Sequence, residues 1–435
     1  MELWALTVFV GTLLAVGARQ LLGRGPPLWT IFLGGGAVTV LTGVLSFPQA
    51  SATLSANLPV FGFLFALFVF AGALDSAGAL EHLARWILGR AADPADLPLY
   101  LFIGFGLLSA VLLNDAVVLI GVPLVLSVAR RIGGHRHLLL LTLAFSVTVG
   151  SVLTPMGNPQ NLLVAIGSGL PSPVGVFLRY LAIPTALNLL LGGLYLRWEF
   201  GRRFRSMGGR RVEHSPRIPF WPKGGWWPRF ANYPALIVFP VTMAGIFGTD
   251  LLAEVAGVVT LPVYEVALLG AVVVLLLTPG RPALLARVDW SILLLFAGLF
   301  VVVAGALNAG ILGGFESLLR IPGPGASRLA TVGTLVGSSL IGSQLVSNVP
   351  WTALQISALH SLGFGPGQPI VWVALAAGST LGGNLTFLGA ASNLIVVEKA
   401  ESAGLTIKLS VFVRYGLPLT ALTVTVLFVC LLLGL

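Results

Sequence analysis

Four short polar clusters stand inside long apolar runs of this 435-residue chain, and their residue types limit the chemistry open to them. The first is Asn114 and Asp115. The second is Thr154, Gly157, Asn158, Pro159, Gln160 and Asn161; the third is Ser347 and Asn348; the fourth is Thr386, Gly389, Ser392 and Asn393. Their amides and hydroxyls can donate to and accept from an oxygen-rich ligand, while Gly and Pro interrupt helices and free backbone carbonyls. Asp115 is the one acid in the four clusters, and none of them contains Lys, Arg or His. A carboxyl shut away from water can trade a proton near neutral pH, so Asp115 is the candidate for proton coupling. An anion bound there would have only helix dipoles or a co-bound sodium ion to hold it. Neutral polyhydroxy solutes and cations fit the clusters better. A plainer reading stands beside this one: Asn158 before Pro159 has the form of a helix N-cap and first turn, and Asn114 or Asp115 could cap the helix that follows. The two readings are compatible, because a capped half-helix still offers its amides and positive dipole end to a cavity.

The setting of these clusters is set by composition. Apolar residues make up 57% of the chain and charged ones 9%, against roughly 25% charged in soluble domains, and mean hydropathy is +0.98. The expectation is an all-α polytopic membrane protein. Its 54 glycines and 27 prolines suit helices that pack closely or break. The single Cys430 excludes a disulfide framework, a thiolate zinc site and an iron–sulfur cluster. His82, His135, His137, His214 and His360 are scattered, so no metal is expected, sodium at the breaks aside, and neither is a cofactor. No nucleophile–base pair or phosphate loop suggests an enzyme.

The elements that must position the clusters follow from the apolar runs. About ten crossings are expected near 3–22, 28–46, 59–80, 138–167, 176–196, 233–252, 262–278, 291–312, 371–400 and 411–433. Segments 98–131 and 329–362 read as re-entrant hairpins, each two short apolar runs around a polar tip. With both termini outside, 20 of the 24 basic residues fall on the cytoplasmic face, which the positive-inside rule favours. Residues 197–232 then form a basic cytoplasmic linker at the headgroup boundary of the plasma (inner) membrane, with no nucleic-acid role. Arg179 and Arg414 are expected to snorkel at opposite interfaces.

The chain also repeats itself. AGALDSAG at 71–78 recurs as AGALNAG at 304–310, LTPMGNPQNLLV at 153–164 as LTFLGAASNLIV at 385–396, and VFLRY at 176–180 as VFVRY at 411–415, a shift of 232 to 235 residues. The division is 1–196 for the first repeat, 197–232 for the linker and 233–435 for the second repeat. Five crossings and one hairpin per repeat force the second copy upside down. Such an inverted-topology repeat places broken helices, at 138–167 and 371–400, together near the midplane, the layout of a secondary transporter working by alternating access. Asp75 is a weaker coupling candidate, since its repeat mate is Asn308 and capping or packing explains the pair equally well.

NDAVVLIGVPLVL, GSVLTPMGNPQNLLVA, SNVP and GGNLTFLGAASNLIVVEKAE together resemble the ion transporter superfamily over nearly the whole chain, and most of all the branch holding ArsB-type arsenite permeases and plant silicic-acid efflux transporters. The resemblance implies two inverted repeats, each with a scaffold part and a transport part, and a homodimer as in the related sodium/dicarboxylate symporters. Those symporters carry Ser-Asn-Thr at each hairpin tip, where this chain has Leu113-Asn114-Asp115 and Ser347-Asn348-Val349. The expectation is therefore a proton-coupled exporter, embedded in membrane lipid, of a small neutral oxyacid of the silicic or arsenous acid type that Asn, Ser, Thr and Gln would hold by hydrogen bonds. A sodium-coupled anion symporter or sodium/proton antiporter is the alternative, and a passive channel is a third reading.

Overall fold

A computed structural model of the chain describes residues 2–22, 25–91, 93–131, 135–206, 233–256, 261–311 and 320–435. The described residues are all-helical. We number the helices α1 (Glu2–Leu22), α2 (Leu28–Leu41), α3 (Phe47–Ala56), α4 (Leu58–Ser76), α5 (Ala79–Leu88), α6 (Leu97–Val111), α7 (Asn114–Arg131), α8 (Arg136–Gly150), α9 (Pro159–Gly167) and α10 (Pro173–Ser206) in the first half. The second half holds α11 (Ala235–Ala256), α12 (Val263–Leu277), α13 (Arg281–Leu285), α14 (Trp290–Asn308), α15 (Arg328–Val346), α16 (Asn348–Ser361), α17 (Pro369–Gly382), α18 (Ala391–Ser402) and α19 (Leu409–Leu433). Residues 207–232, most of the segment read as a basic linker, lie outside the described residues.

Eight of the described segments are long and apolar enough to cross a membrane, and they include Pro94–Val111 and Arg328–Val346, the first arms of both hairpins. Several expected crossings are shorter than the sequence suggested. Helices α2, α12 and α17 have 14, 15 and 14 residues, about 21 Å of helix each. Gly43 at positive φ ends the turn after α2, and Ser46 then starts α3 with a full capping box in which Gln49 answers back to the Ser46 backbone. Neither α3 nor α5 was expected from the apolar runs. In the other direction, α10 continues as helix to Ser206, beyond the apolar limit at 196.

The two halves exchange contacts reciprocally. Helix α2 packs on α14 and α4 on α12, while α9 lies against α16 and α18 against α7. End contacts fix the sense of each copy. At the base of the first hairpin Arg197 pairs with Asp96 at 2.7 Å, His135 meets Phe200 edge-on, and His137 Nε2 reaches Thr406 O beyond α18. At the base of the second hairpin His360 Nε2 meets Gly167 O at the end of α9, and Arg328 reaches Leu432 O. Because α8 and α9 run from His137 to Gly167 across the molecule, the two hairpins enter from opposite ends. That is the inverted repeat.

Asp75 ion-pairs with Arg287, and its mate Asn308 donates from Nδ2 to Val44 O at 3.0 Å. Both contacts join one repeat to the other at a helix end, which matches the packing reading of this pair. Arg179 and Arg414 are exposed.

Candidate functional site

The polar clusters converge where the hairpin tips meet the broken helices. In the first half α8 ends at Gly150, a short turn of 3-10 helix spans Ser151–Leu153, and α9 restarts at Pro159. In the second half the chain is open from Gly383 to Ala390. The tip amide of each hairpin closes onto the glycine of its own break: Asn114 N donates to Gly157 O at 2.9 Å, and Asn348 N to Gly389 O at 3.2 Å. Each break carries a threonine whose hydroxyl accepts from the amide two residues on, Met156 N at 3.2 Å for Thr154 and Leu388 N at 3.2 Å for Thr386. Thr154 donates to Ala110 O on the first hairpin, and Thr386 to Gln344 Oε1 on the second.

Cross-repeat bonds lock the centre with the same approximate symmetry. Thr380 Oγ1 donates to Asn161 Oδ1 at 3.0 Å, and Thr148 Oγ1 to Asn393 Oδ1 at 3.5 Å. Asn161 Nδ2 donates to Ser151 O and Asn393 Nδ2 to Gly383 O. Asn114 Nδ2 donates to Ser392 Oγ at 3.3 Å, while Asn158 and Gln160 both donate to Thr380 Oγ1. The sequence-derived candidates are thus brought together at one buried centre, except Thr386, which is half-buried. Sequence reasoning missed Thr148, Ser151, Gln344, Thr380 and Asn384. The repeat itself carried a signal for two of them, since Thr148 and Thr380 are identical residues at the 232-residue shift.

The capping reading holds for part of the first break only. Asn158 Oδ1 accepts from Asn161 N at 2.8 Å, a side-chain N-cap on α9. The mate of Asn158 is Ala390, and α18 starts with no side-chain cap. Asn114 Oδ1 accepts from Asp115 N at 2.9 Å, leaving Asp115 Oδ1 buried with no protein partner among the described residues. Asn348 is likewise buried, with neither side-chain atom paired. Ser347 takes φ 73° and ψ 158°, a region that is almost exclusively glycine's and costs about 1–3 kcal/mol. Backbone strain held at a tip beside unpaired polar atoms is the kind of outlier that collects at ligand sites.

A cavity of about 570 Å³ opens onto this second break. Its walls include Ser347 at the tip, Leu388 and Ala390 in the break, Glu398 on α18, Asp289 before α14 and Arg19 from α1. The clusters themselves contain no basic residue, and tertiary packing of α1 supplies one from outside them: Arg19 lines the wall, as Asp289 and Glu398 do. At the equivalent place in the first half α9 packs against α4, whereas in the second half α18 and the start of α14 both line the cavity.

The citrate transporter family model matches residues 13–378. The chain belongs to the citrate transporter family. Its motif resemblance to the ion transporter superfamily is borne out by that match and by the relatives of this family member. The silicon efflux transporter LSI3 of Oryza sativa subsp. japonica is 28% identical over 415 residues, covering 85% of this chain and 84% of that protein. An uncharacterized transporter of Mycobacterium tuberculosis (strain ATCC 25618 / H37Rv) is 27% identical over 445 residues, covering 98% and 96%. Among solved structures, the Alcanivorax borkumensis YdaH transporter superposes with a TM-score of 0.57 at 14% identity, covering 89% of this chain and 87% of that one, and so shares the fold. This citrate transporter family member is an integral membrane transporter.

Proposed function

We propose that the chain is a secondary active exporter of a small neutral oxyacid, of the silicic or arsenous acid type, exchanged for protons carried by Asp115. The observation that carries this reading is the difference between two matched places: α4 packs on α9, and α14 and α18 are the walls of a cavity. Rocking one part against the other would close the second and open the first, which is alternating access across inverted repeats. Ser347, Asn348, Thr386, Ser392 and Asn393 would hold the solute's hydroxyls, and the free amides at the start of α18 would complete the site. The name of the rice relative, a silicon efflux transporter, supports efflux of a silicon-bearing solute. With both termini outside, alternation puts Arg19, Asp289 and Glu398 at the cytoplasmic end, so the cavity is the inward-facing entrance in the plasma membrane, and the two hairpins are re-entrant. The homodimer implied by the resemblance belongs to the same proposal, with light scattering of the detergent-solubilised protein as its measure.

Flux in proteoliposomes tests it. Silicic or arsenous acid should follow an imposed pH gradient without sodium, and Asp115→Asn should abolish the gradient dependence while leaving a folded protein. Transport that needs sodium and ignores pH overturns the reading. A second reading, a coupled symporter of a carboxylate anion such as citrate, is favoured by Arg19 on the cavity wall and by the family's description. It requires that Arg19→Gln raise the KM for citrate at least about tenfold, the loss of one charge-assisted contact, and leave oxyacid flux unchanged.

A further inference from the structure

The second hairpin contains buried polar atoms that its packing does not use. Asn348, Thr352 and Gln355 follow one another on α16 at spacings of four and three, which keeps them within about 60° of arc on one helix face. Their exposures are 3%, 0% and 0%. Asn348 Oδ1 and Nδ2, Thr352 Oγ1 and Gln355 Oε1 have no protein partner among the described residues. Thr352 does not take its own helix's carbonyl one turn back, as Thr142 and Thr423 do. The row is held firmly from α15: Gln355 Nε2 donates to Ser338 Oγ at 2.9 Å, and Trp351 Nε1 to Ser339 Oγ at 3.3 Å.

Hairpin architecture does not demand such a row. The corresponding positions of the first hairpin are Asn114, Val118 and Gly121, so only the tip residue is shared. Helix α16 packs on α9 and α17, whose Gln160 and Thr380 belong to the central network. The row thus leads from the tip toward the far end of α16, where His360 meets Gly167. Buried polar atoms left unmatched cost stability, and four of them on one face point to a ligand that matches them.

We propose that Asn348, Thr352 and Gln355 form a binding site for hydroxyl-bearing small molecules, a file of O–H groups that donate to Asn348 Oδ1 and Gln355 Oε1 and are met by Asn348 Nδ2 and Thr352 Oγ1. Water and a hydroxylated solute share this chemistry. The row shares Asn348 with the solute site of the proposed function and extends it along α16, and its test reads only Thr352 and Gln355.

Thr352→Val keeps side-chain volume while deleting the unpaired Oγ1, and Gln355→Met is measured against Ser338→Ala, because it also deletes the Nε2 that donates to Ser338 Oγ; on that reference the sign of each effect on the full-length purified protein is diagnostic. An occupied row loses bound partners, and the melting midpoint falls by about 2 °C or more in each variant. Radiolytic hydroxyl labelling then marks Trp351 beside the row in the parent and drops at least twofold in the variants. Silicic acid that protects Trp351 identifies a solute as occupant, and unchanged labelling in its presence identifies water. Midpoints that hold or rise in both variants, with Trp351 unlabelled in the parent, overturn the proposal, because a dry row gains from apolar replacements. None of these readouts uses transport, so they stand whether or not the exporter reading survives.

Discussion

The two breaks descend from one segment and have become different objects. In the first, Thr154, Asn158 and Asn161 spend their polar atoms on the protein itself, α9 is capped, and α4 packs on α9. In the second, Ala390 replaces the cap, Ser347 is strained, Asn348 is unpaired and the cavity reaches in. One copy anchors and the other receives. The sequence pattern alone predicts equivalence, because the shared Gly, Thr and Asn positions are those that build the breaks, and the asymmetry lies in what surrounds them.

Substituting the break glycines should separate the copies most. A Cβ on Gly157 would lie 2.3 Å from Ser151 O and 2.6 Å from Ser151 Cα, backbone that cannot yield without opening the turn. A Cβ on Gly389 would first meet the amide end of the Gln344 side chain at 2.8 Å, with the backbone at Gly383 Cα farther off at 3.1 Å. Gly157→Ala should cost about 3 kcal/mol and Gly389→Ala about 1 kcal/mol. Thermal unfolding in detergent measures both, and equal losses would erase the distinction between anchor and receiver.

A smaller separation is expected at the paired asparagines. Asn161 Nδ2 serves Ser151 O at 2.9 Å and Thr154 O at 3.1 Å while its Oδ1 holds Thr380. Asn393 Nδ2 serves Gly383 O at 2.8 Å and Asn384 Oδ1 at 3.3 Å, while its Oδ1 accepts only a long 3.5 Å contact from Thr148. Asn161→Ala should destabilise by about 2–3 kcal/mol and Asn393→Ala by about 1–2 kcal/mol, with the second losing more transport per unit of stability. A stability loss at Asn393 that equals or exceeds the loss at Asn161 would place the anchor in the wrong repeat.

These residues were legible because the repeat supplies its own alignment. Composition made the chain a membrane protein, and the shift of 232 residues paired Gly157 with Gly389 and Asn161 with Asn393. What stayed hidden is tertiary. Arg19 reaches the cavity through the packing of α1, and no local pattern announces it. Gln344 replaces a backbone carbonyl as the partner of the break threonine, which only the fold reveals. Helix α3 was missed for a different reason: Phe47–Ala56 is short, polar and mostly exposed, so apolar run length is blind to it, although Ser46 and Gln49 spell a capping box.

The finest test converts one break toward the other. Ala390→Asn would give α18 the cap that Asn158 gives α9, satisfying an amide that is now free, and a side-chain cap is worth about 1 kcal/mol. The melting midpoint should therefore rise slightly. If those amides face the solute, the same change fills part of the site and occupies a donor, so transport should fall severalfold as stability increases. A gain in stability with full transport would show that the start of α18 needs no opening, and the cavity would then serve only as an entrance. Loss of both would mean that Asn at 390 does not fit beside Gly383, whose added Cβ would lie 2.7 Å from the Ala390 Cβ. Ala390→Ser, a smaller cap, separates that steric outcome from the electrostatic one.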